Sequence, residues 1–416
     1  MQYKVKIEKI EDKEIDSTFI YNVNFEGGGF SLISSEQGIN PVLGYSRTGT
    51  FKEANLSQGE KIWIECVLNH LKSVKEKNKS LGNAVKFDME NNIKKISFMS
   101  SSTPSTVPSL FETYHTSRWA YWGPYDSAFP YQTNGNICVP LAMAQIVKFY
   151  QYPIQGTGSY GGIDFSRQFY NYSEMPFRLT YCGNNAYGGL CDDGTFGIIP
   201  GITDTQINNV STLIYHCGVI VETDGTGTYG TPLGWIGKMV QYFNYSPSFN
   251  YRNETYIANN NSAFKEELRN EILNKRPVLF AYYSLSSGHA VVIDGYENND
   301  YFHFAIGSGG SADLYYYLFD VDSDGVHLET SHTLYYRAAT GIQPNCPTVS
   351  DLTLNNVSFS DSKQYEATNS VVANTVSVLS GGRIAIQAGS FIQLNPGFEI
   401  QSGAEGIFIV KQCGTP

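Results

Sequence analysis

Two residues of this chain stand in surroundings suited to nucleophilic chemistry, Cys138 and His289. Cys138 opens the run Cys138-Val139-Pro140-Leu141-Ala142-Met143-Ala144-Gln145-Ile146-Val147-Lys148-Phe149-Tyr150. Pro140 fits only a first helical turn, where its missing N–H is not needed. No breaker follows until Pro153, and only Gln145 and Lys148 are strongly polar. A helix this apolar on most faces lies in a domain centre. Its start gathers unpaired N–H groups and the positive end of the helix dipole, which lower a thiol pKa and favour thiolate. The competing reading is a core cysteine, because a cysteine thiol is among the most buried groups. His289 begins the strand His289-Ala290-Val291-Val292-Ile293-Asp294-Gly295-Tyr296, after a turn ending in Gly288. At such an edge a side chain faces a cleft. A thiol nucleophile needs a base that holds it as thiolate and later protonates a leaving amine. The two residues are far apart in sequence, so only the fold can join them. His303, on a strand close by, is the rival imidazole.

The elements that must position these groups follow from composition and pattern. At 416 residues the chain is expected to form two or three domains. Thirty tyrosines and forty glycines with few charges point to a strand- and loop-rich protein. A net charge of −11 argues against nucleic acid or an anionic membrane as partner. No apolar run reaches membrane-spanning length, and the N-terminus lacks an apolar signal core. The chain is therefore either intracellular or numbered from after a removed signal peptide. Cys182 with Cys191, and Cys346 with Cys413, bracket segments a disulfide could close; both pairs would place the protein outside the cytoplasm. Cys66, Cys138 and Cys217 then remain as thiols. No cysteine has zinc-site spacing, so no metal is expected.

Residues 1–95 read as a small α+β domain. Strands are expected over 18–25 and 29–34, with 40–45 after a further turn, and a helix over 60–75. Residues 96–110, rich in Ser, Thr and Pro, read as an exposed linker open to proteolysis. Residues 111–340 form the main domain. It has the Cys138 helix, helices near 204–217 and 263–275, and an antiparallel sheet from strands 277–283, 289–296, 301–306 and 314–319. Residues 347–416 alternate short apolar pieces with Gly turns, as in a small solenoid-like all-β module.

Several of these stretches resemble the streptopain family of cysteine peptidases. Cys138 to Ile146 with Tyr152-Pro153 is similar to its nucleophile helix, and Gly288 to Tyr296 to its histidine strand. Phe302-His303-Phe304 with Gly307-Ser308-Gly309-Gly310 is similar to the segment that follows, and Trp119 with Pro124-Tyr125 to the stretch before the nucleophile. Gly29 to Ser34 with Pro41 to Ser46 resembles the inhibitory propeptide. The last segment resembles a β module of some secreted bacterial relatives. The resemblance implies an α+β protein whose catalytic domain is two-lobed and papain-like. A small α+β propeptide precedes it, and a small all-β module follows. It implies peptide hydrolysis through a thioester on Cys138 with His289 as acid and base. It also implies a secreted zymogen that needs no cofactor and has polypeptides and its own propeptide as partners. Trp119, Gly288 and Ser308 become candidates for the substrate cleft, and the C-terminal module for a cell-surface or secretion-system contact.

The family places Gln at the position of Tyr121 as an oxyanion donor, Asn-Trp at Ala305-Ile306 to orient the histidine, and a second Trp at Ser308. These departures keep a second reading open, a weakened homologue that binds peptides or a protein partner without turning them over. A third is a surface adhesion protein acting through residues 347–416.

Overall fold

The computed structural model describes residues 5–11, 18–26, 28–36, 39–52, 56–80, 106–181, 197–284, 287–297, 300–310, 314–321 and 334–416. They fall into two compact units, Met1–Pro124 with Phe177–Gly201 and Asn250–Thr340, and Tyr125–Pro176 with Ile202–Phe249 and Gly341–Pro416. The expected Cys182–Cys191 pair and residues 96–105 of the linker lie outside the described residues.

The first unit is built on a ten-stranded antiparallel sheet. Its order is Val5–Glu11, Phe19–Phe25, Phe30–Ser34, Val42–Ser46, Leu314–Tyr317, Tyr301–Ala305, Gly288–Glu297, Val278–Tyr283, Tyr335–Thr340, Asn250–Arg252. The first four strands join the rest where Tyr45 pairs with Tyr315 and Gly44 with Tyr316. A Cβ on Gly44 would sit 3.3 Å from both the Tyr315 carbonyl and the Tyr316 ring, so a glycine lets the strands close there. Aromatic rings seal the seam. Tyr45 stacks on Tyr315 with centroids 5.7 Å apart, and Trp63 meets Tyr316 at 4.7 Å.

The helix Gln58–Ser80 lies against the Val278–Tyr283 and Gly288–Glu297 strands. Ser57-Gln58-Gly59-Glu60 starts it as a capping box. The Glu60 carboxylate accepts from the Ser57 N–H at 2.7 Å, and the Ser57 hydroxyl accepts from the Glu60 N–H at 3.4 Å. Ile62, Trp63, Cys66, Val67 and Leu71 are buried on the sheet side, while Lys61 and Glu65 face solvent. The helix therefore begins two residues before the apolar period announces it.

In the second unit the helix Cys138–Tyr150 is buried along its length from Val139 to Tyr150. It packs against Asp204–Ile220, which opens on a Thr203/Gln206 capping box. A further helix, Pro232–Phe243, starts with proline in its first turn. The C-terminal segment winds through three rungs of parallel strands. Asp351–Phe359, Ser370–Val378 and Phe391–Leu394 stack on one side. Ser362–Ala367, Arg383–Ala388 and Glu405–Val410 stack on the other. Leu354, Phe359, Val371, Val376, Val378, Ile384 and Ile386 form its own core. Asn355, Asn374 and Asn395 bond to one another in a ladder, at 2.8 and 2.5 Å. The Cys346–Cys413 disulfide, Cα–Cα 5.7 Å, ties the module's two ends.

Candidate active site

Cys138 is the first residue of its helix and is half-buried. The N-cap residue, Ile137, contributes no side-chain bond, so the first-turn N–H groups are not satisfied by a cap. The approach to the cysteine is fixed from both sides. The Asn136 N–H donates to the Thr133 carbonyl at 2.8 Å, and the Thr133 hydroxyl donates to Asp126 at 2.6 Å. The Asn136 side chain donates to the Gly225 carbonyl at 3.2 Å. A half-buried thiol at a helix start stands at the positive end of the dipole. Among the described residues, the two other cysteines outside disulfides are fully buried. Burial, with the Glu65 charge adding to it, pushes the Cys66 thiol up to about 12, and burial pushes Cys217 well above the ordinary thiol value.

His289 is the second residue of the strand Gly288–Glu297 and lies opposite Tyr282 in the register. It is buried. Its Nε2 lies 2.9 Å from the Ile306 carbonyl oxygen. A carbonyl only accepts, so Nε2 carries the proton and Nδ1 is the ring's basic nitrogen. The rings of Tyr121 and Tyr282 flank the imidazole, with centroids at 5.6 and 5.8 Å. The segment holding Trp119 and Tyr121 runs beside the one holding Ile306 and Ser308. Ala120 bridges Ser308, the Tyr121 N–H donates to the Gly307 carbonyl at 3.1 Å, and the Gly309 N–H donates to the Trp119 carbonyl at 3.1 Å. The first unit thus gathers Trp119, Tyr121, His289, Ala305 and Ser308, all buried, with Gly288 exposed at the strand's start. Cys138 belongs to the second unit.

Two residues that the sequence reading did not single out touch this group. Gly59, in the first turn of the Gln58–Ser80 helix, donates its N–H to the Tyr121 hydroxyl at 2.9 Å. Its carbonyl accepts from the Tyr282 hydroxyl at 2.9 Å. A Cβ at Gly59 would lie 2.4 Å from His289 Nε2. The helix start therefore rests directly on the imidazole. The signal available in the sequence was the Ser57-x-x-Glu60 box, which puts a glycine in a first turn where it is costly.

His303 is engaged elsewhere. Its Nδ1 lies 2.6 Å from Asp294 Oδ1. Asp294 Oδ2 accepts from the Ser109 hydroxyl at 2.5 Å and from the Phe111 N–H at 2.9 Å. This buried carboxylate pins the start of the main domain to the sheet, so the rival imidazole has a structural task. Among the described residues no group of His, Cys, Asp and Glu could hold a metal ion, and no helix is long and apolar enough to cross a membrane.

Comparison with known proteins gives two family matches. The Peptidase C10 family profile matches residues 119–316, and the Spi protease inhibitor profile matches residues 2–70. Thiol protease/hemagglutinin PrtT of Porphyromonas gingivalis is 25% identical over 323 residues, covering 74% of this chain. The chain spans only 35% of that relative's length. Streptopain of Streptococcus pyogenes is 22% identical over 333 residues, covering 76% of this chain and 77% of the relative. Among solved structures, a fragment of Prevotella intermedia prointerpain A matches with a TM-score of 0.55 and 20% identity, over 80% of this chain and 98% of that one. That likeness shows the fold alone.

Proposed function

From the premise that this chain carries a Peptidase C10 domain behind a Spi protease inhibitor domain, we propose that it is a secreted cysteine endopeptidase made as a zymogen. Cys138 attacks the scissile carbonyl and His289 protonates the leaving amine. Water, activated by the same imidazole, then resolves the thioester. Residues 1–95 act as the inhibitory domain, 96–110 as the segment that is cut, 111–340 as the peptidase, and 347–416 as an added module. The Cys346–Cys413 disulfide supports an oxidising compartment.

The observation that carries this reading is the state of His289. Ile306 fixes its tautomer through a main-chain carbonyl, which supplies the orientation that Ala305 cannot give as a side chain. Gly59 of the inhibitory domain covers the same ring. A base that is both oriented and covered is what a zymogen requires. With Tyr121 in place of a glutamine, the oxyanion falls to the Cys138 N–H, or to that N–H together with the Tyr121 hydroxyl as substitute donor. Loss of one such donor costs about 100- to 1000-fold in turnover. The peptidase is therefore a slow one.

The test uses the full chain and its Cys138→Ala variant, followed by gel and mass spectrometry. The wild type cuts itself within 96–110 and Cys138 alkylates faster than Cys66 and Cys217; the variant stays whole. An uncut wild-type chain whose Cys138 resists iodoacetamide rules the reading out. Tyr121, Ala305 and Ser308 favour one alternative, a binding homologue with little turnover. In Tyr121→Gln/Ala305→Asn a rise in a low rate identifies that case.

A further inference from the structure

The strand that carries His289 is not regular. Against the neighbouring strand Tyr301–Ala305 its pairs run Val292 with Ala305 and Ile293 with Phe304, then step to Gly295 with His303. Asp294 is the extra residue at that β-bulge, and it is fully buried. Its carboxyl group is held by three partners. His303 Nδ1 lies 2.6 Å from Oδ1, and the Ser109 hydroxyl and the Phe111 N–H donate to Oδ2 at 2.5 and 2.9 Å. Residues 107–111 thus form a strap across the bulge. Val107 and Tyr296 exchange both main-chain hydrogen bonds, each at 2.9 Å. A Cβ on Gly295 would lie 2.9 Å from the Ser109 nitrogen and 3.1 Å from the Pro108 carbonyl carbon, so a glycine lets the strap sit directly on the bulge.

We infer that Asp294 is a positioning residue for His289. The strap and His303 hold Asp294 in the bulge, and the bulge sets the imidazole against the Ile306 carbonyl. His289 is tied to its other neighbour, opposite Tyr282, in a register that runs unbroken from Gly288 with Tyr283 to Ile293 with Val278. Ile306 follows directly on the strand Tyr301–Ala305. The bulge is the step that sets one against the other. With Gly295 still facing His303, a ladder without the bulge would put Ile306 opposite Val292 in place of Ala305. That moves Ile306 about 3.4 Å along the strand. The 2.9 Å approach of His289 Nε2 to the Ile306 carbonyl does not survive such a slip, and the tautomer it fixes goes with it. The inference rests on the peptidase reading for the use made of His289, and it adds what aims that base.

The experiment compares two variants of the full chain. Asp294→Asn keeps the side chain's shape and puts an amide donor where one oxygen accepts. Ser109→Ala removes one of the three partners and leaves the other two. Each is combined with Cys138→Ala and labelled with 15N-histidine, and NMR above the ordinary imidazole range reports which ring nitrogen carries the proton. A His289→Ala spectrum assigns the signal. In the parent, His289 should be protonated on Nε2. In Asp294→Asn that preference should be lost, and in Ser109→Ala it should weaken. With Cys138 intact, Asp294→Asn should slow linker cleavage by about 100-fold, and Ser109→Ala by less. On fluorescent casein the loss should fall on kcat and leave KM unchanged. Melting temperatures show which variants fold. Parent-like His289 signals in folded Asp294→Asn overturn the inference whatever the rate; if that variant does not fold, parent-like signals in Ser109→Ala do so. A displaced His289 proton in a chain whose parent never cuts itself keeps the inference and overturns the peptidase reading.

Discussion

In the proposed zymogen, Gly59 is one residue on which latency turns. A helix interior ordinarily prefers alanine to glycine by about 1 kcal/mol. Here the added methyl would meet the His289 ring at 2.4 Å. The contact outweighs the propensity, so Gly59→Ala should loosen the inhibitory helix and speed linker cleavage, timed on gels from a fresh full-length sample. Unchanged or slower cleavage would mean that the helix start is not what restrains the imidazole. At this scale the sequence points to candidate groups more readily than to the contacts around them. Cys138 stood out because a proline two residues on and a long apolar run mark a helix start. His289 stood out because a turn glycine precedes an apolar strand. His303 could not be dismissed until Asp294 was seen 2.6 Å from it. Gly59, Tyr282 and the Ile306 carbonyl act through contacts made far along the chain, and local pattern does not report those.

The helix Cys138–Tyr150 carries a second, electrostatic feature at its far end. Lys148 is buried, and its ammonium donates to the Tyr172 carbonyl at 2.6 Å. Lys411, from the last rung of the C-terminal module, donates to the Tyr150 carbonyl at 3.2 Å. Burial lowers Lys148 to about 8, and burial together with the Lys148 charge lowers Lys411 to about 7. Burial also raises the Glu366 carboxyl to about 7. Each lysine binds its proton less readily folded than unfolded. Between about pH 7 and the ordinary lysine value near 10.4 the unfolded chain thus holds more protons, and stability rises with pH over that window. Glu366 acts in the opposite sense below it, with its share falling as pH climbs from about 4.3 to 7. Lys148→Met should remove part of the upper rise, read as melting temperature at about pH 8 and about pH 10. An identical slope in wild type and variant would contradict it. Helices and strands with clear periods were legible in the sequence, including this one. The strand Tyr335–Thr340 was not, because its alanines carry little strand preference. Nor was Pro232–Phe243, whose glycines blur the apolar stripe although Thr231-Pro232 marks its start.

On the scale of the chain, the sheet of the first unit runs on from the inhibitory strands into the peptidase strands. The Val42–Ser46 to Leu314–Tyr317 pairing is a short one, supplemented by charge. Arg47 meets the Glu297 carboxylate at 2.6 Å, and the Tyr45 hydroxyl donates to the same group. Glu297 is buried and Arg47 is largely exposed, so the guanidinium reaches in from solvent. Arg47→Ala leaves a buried carboxylate with one fewer partner. That costs about 1–3 kcal/mol of docking and should shorten the time to linker cleavage. An unchanged lag would show that the tyrosine rings alone hold the seam. The sequence divides the chain into stretches of distinct character, but nothing in a tyrosine-rich strand announces which other strand it will pair with.

The C-terminal module raises the question of whether it contributes to peptidase action or works alone. It has a core of its own, so its packing does not depend on the helices of the second unit. The segment that precedes it bonds to those helices. The Tyr150 hydroxyl donates to the Ile342 carbonyl at 2.8 Å, and the Asn345 N–H donates to the Asn244 carbonyl at 3.1 Å. A chain ending at Asn345 keeps both bonds. It loses the Lys411 contact, the Arg383 side-chain bond to the Arg167 carbonyl at 3.4 Å, and the Cys346–Cys413 link. Losing Lys411 also takes a positive charge from beside Lys148 and exposes it to water. The truncated chain should therefore keep the wild-type rate of linker cleavage, and its stability should gain less between about pH 7 and 10 than that of the whole chain. Reducing the disulfide in the intact chain should destabilise the module. The bond closes a 67-residue separation, and a loop of that length is worth about 4 kcal/mol to the module's fold. If the truncated chain instead loses self-cleavage while remaining folded, the module takes part in catalysis. If self-cleavage survives and no binding is lost with it, an adhesion role for residues 347–416 falls, and the peptidase domain carries the function.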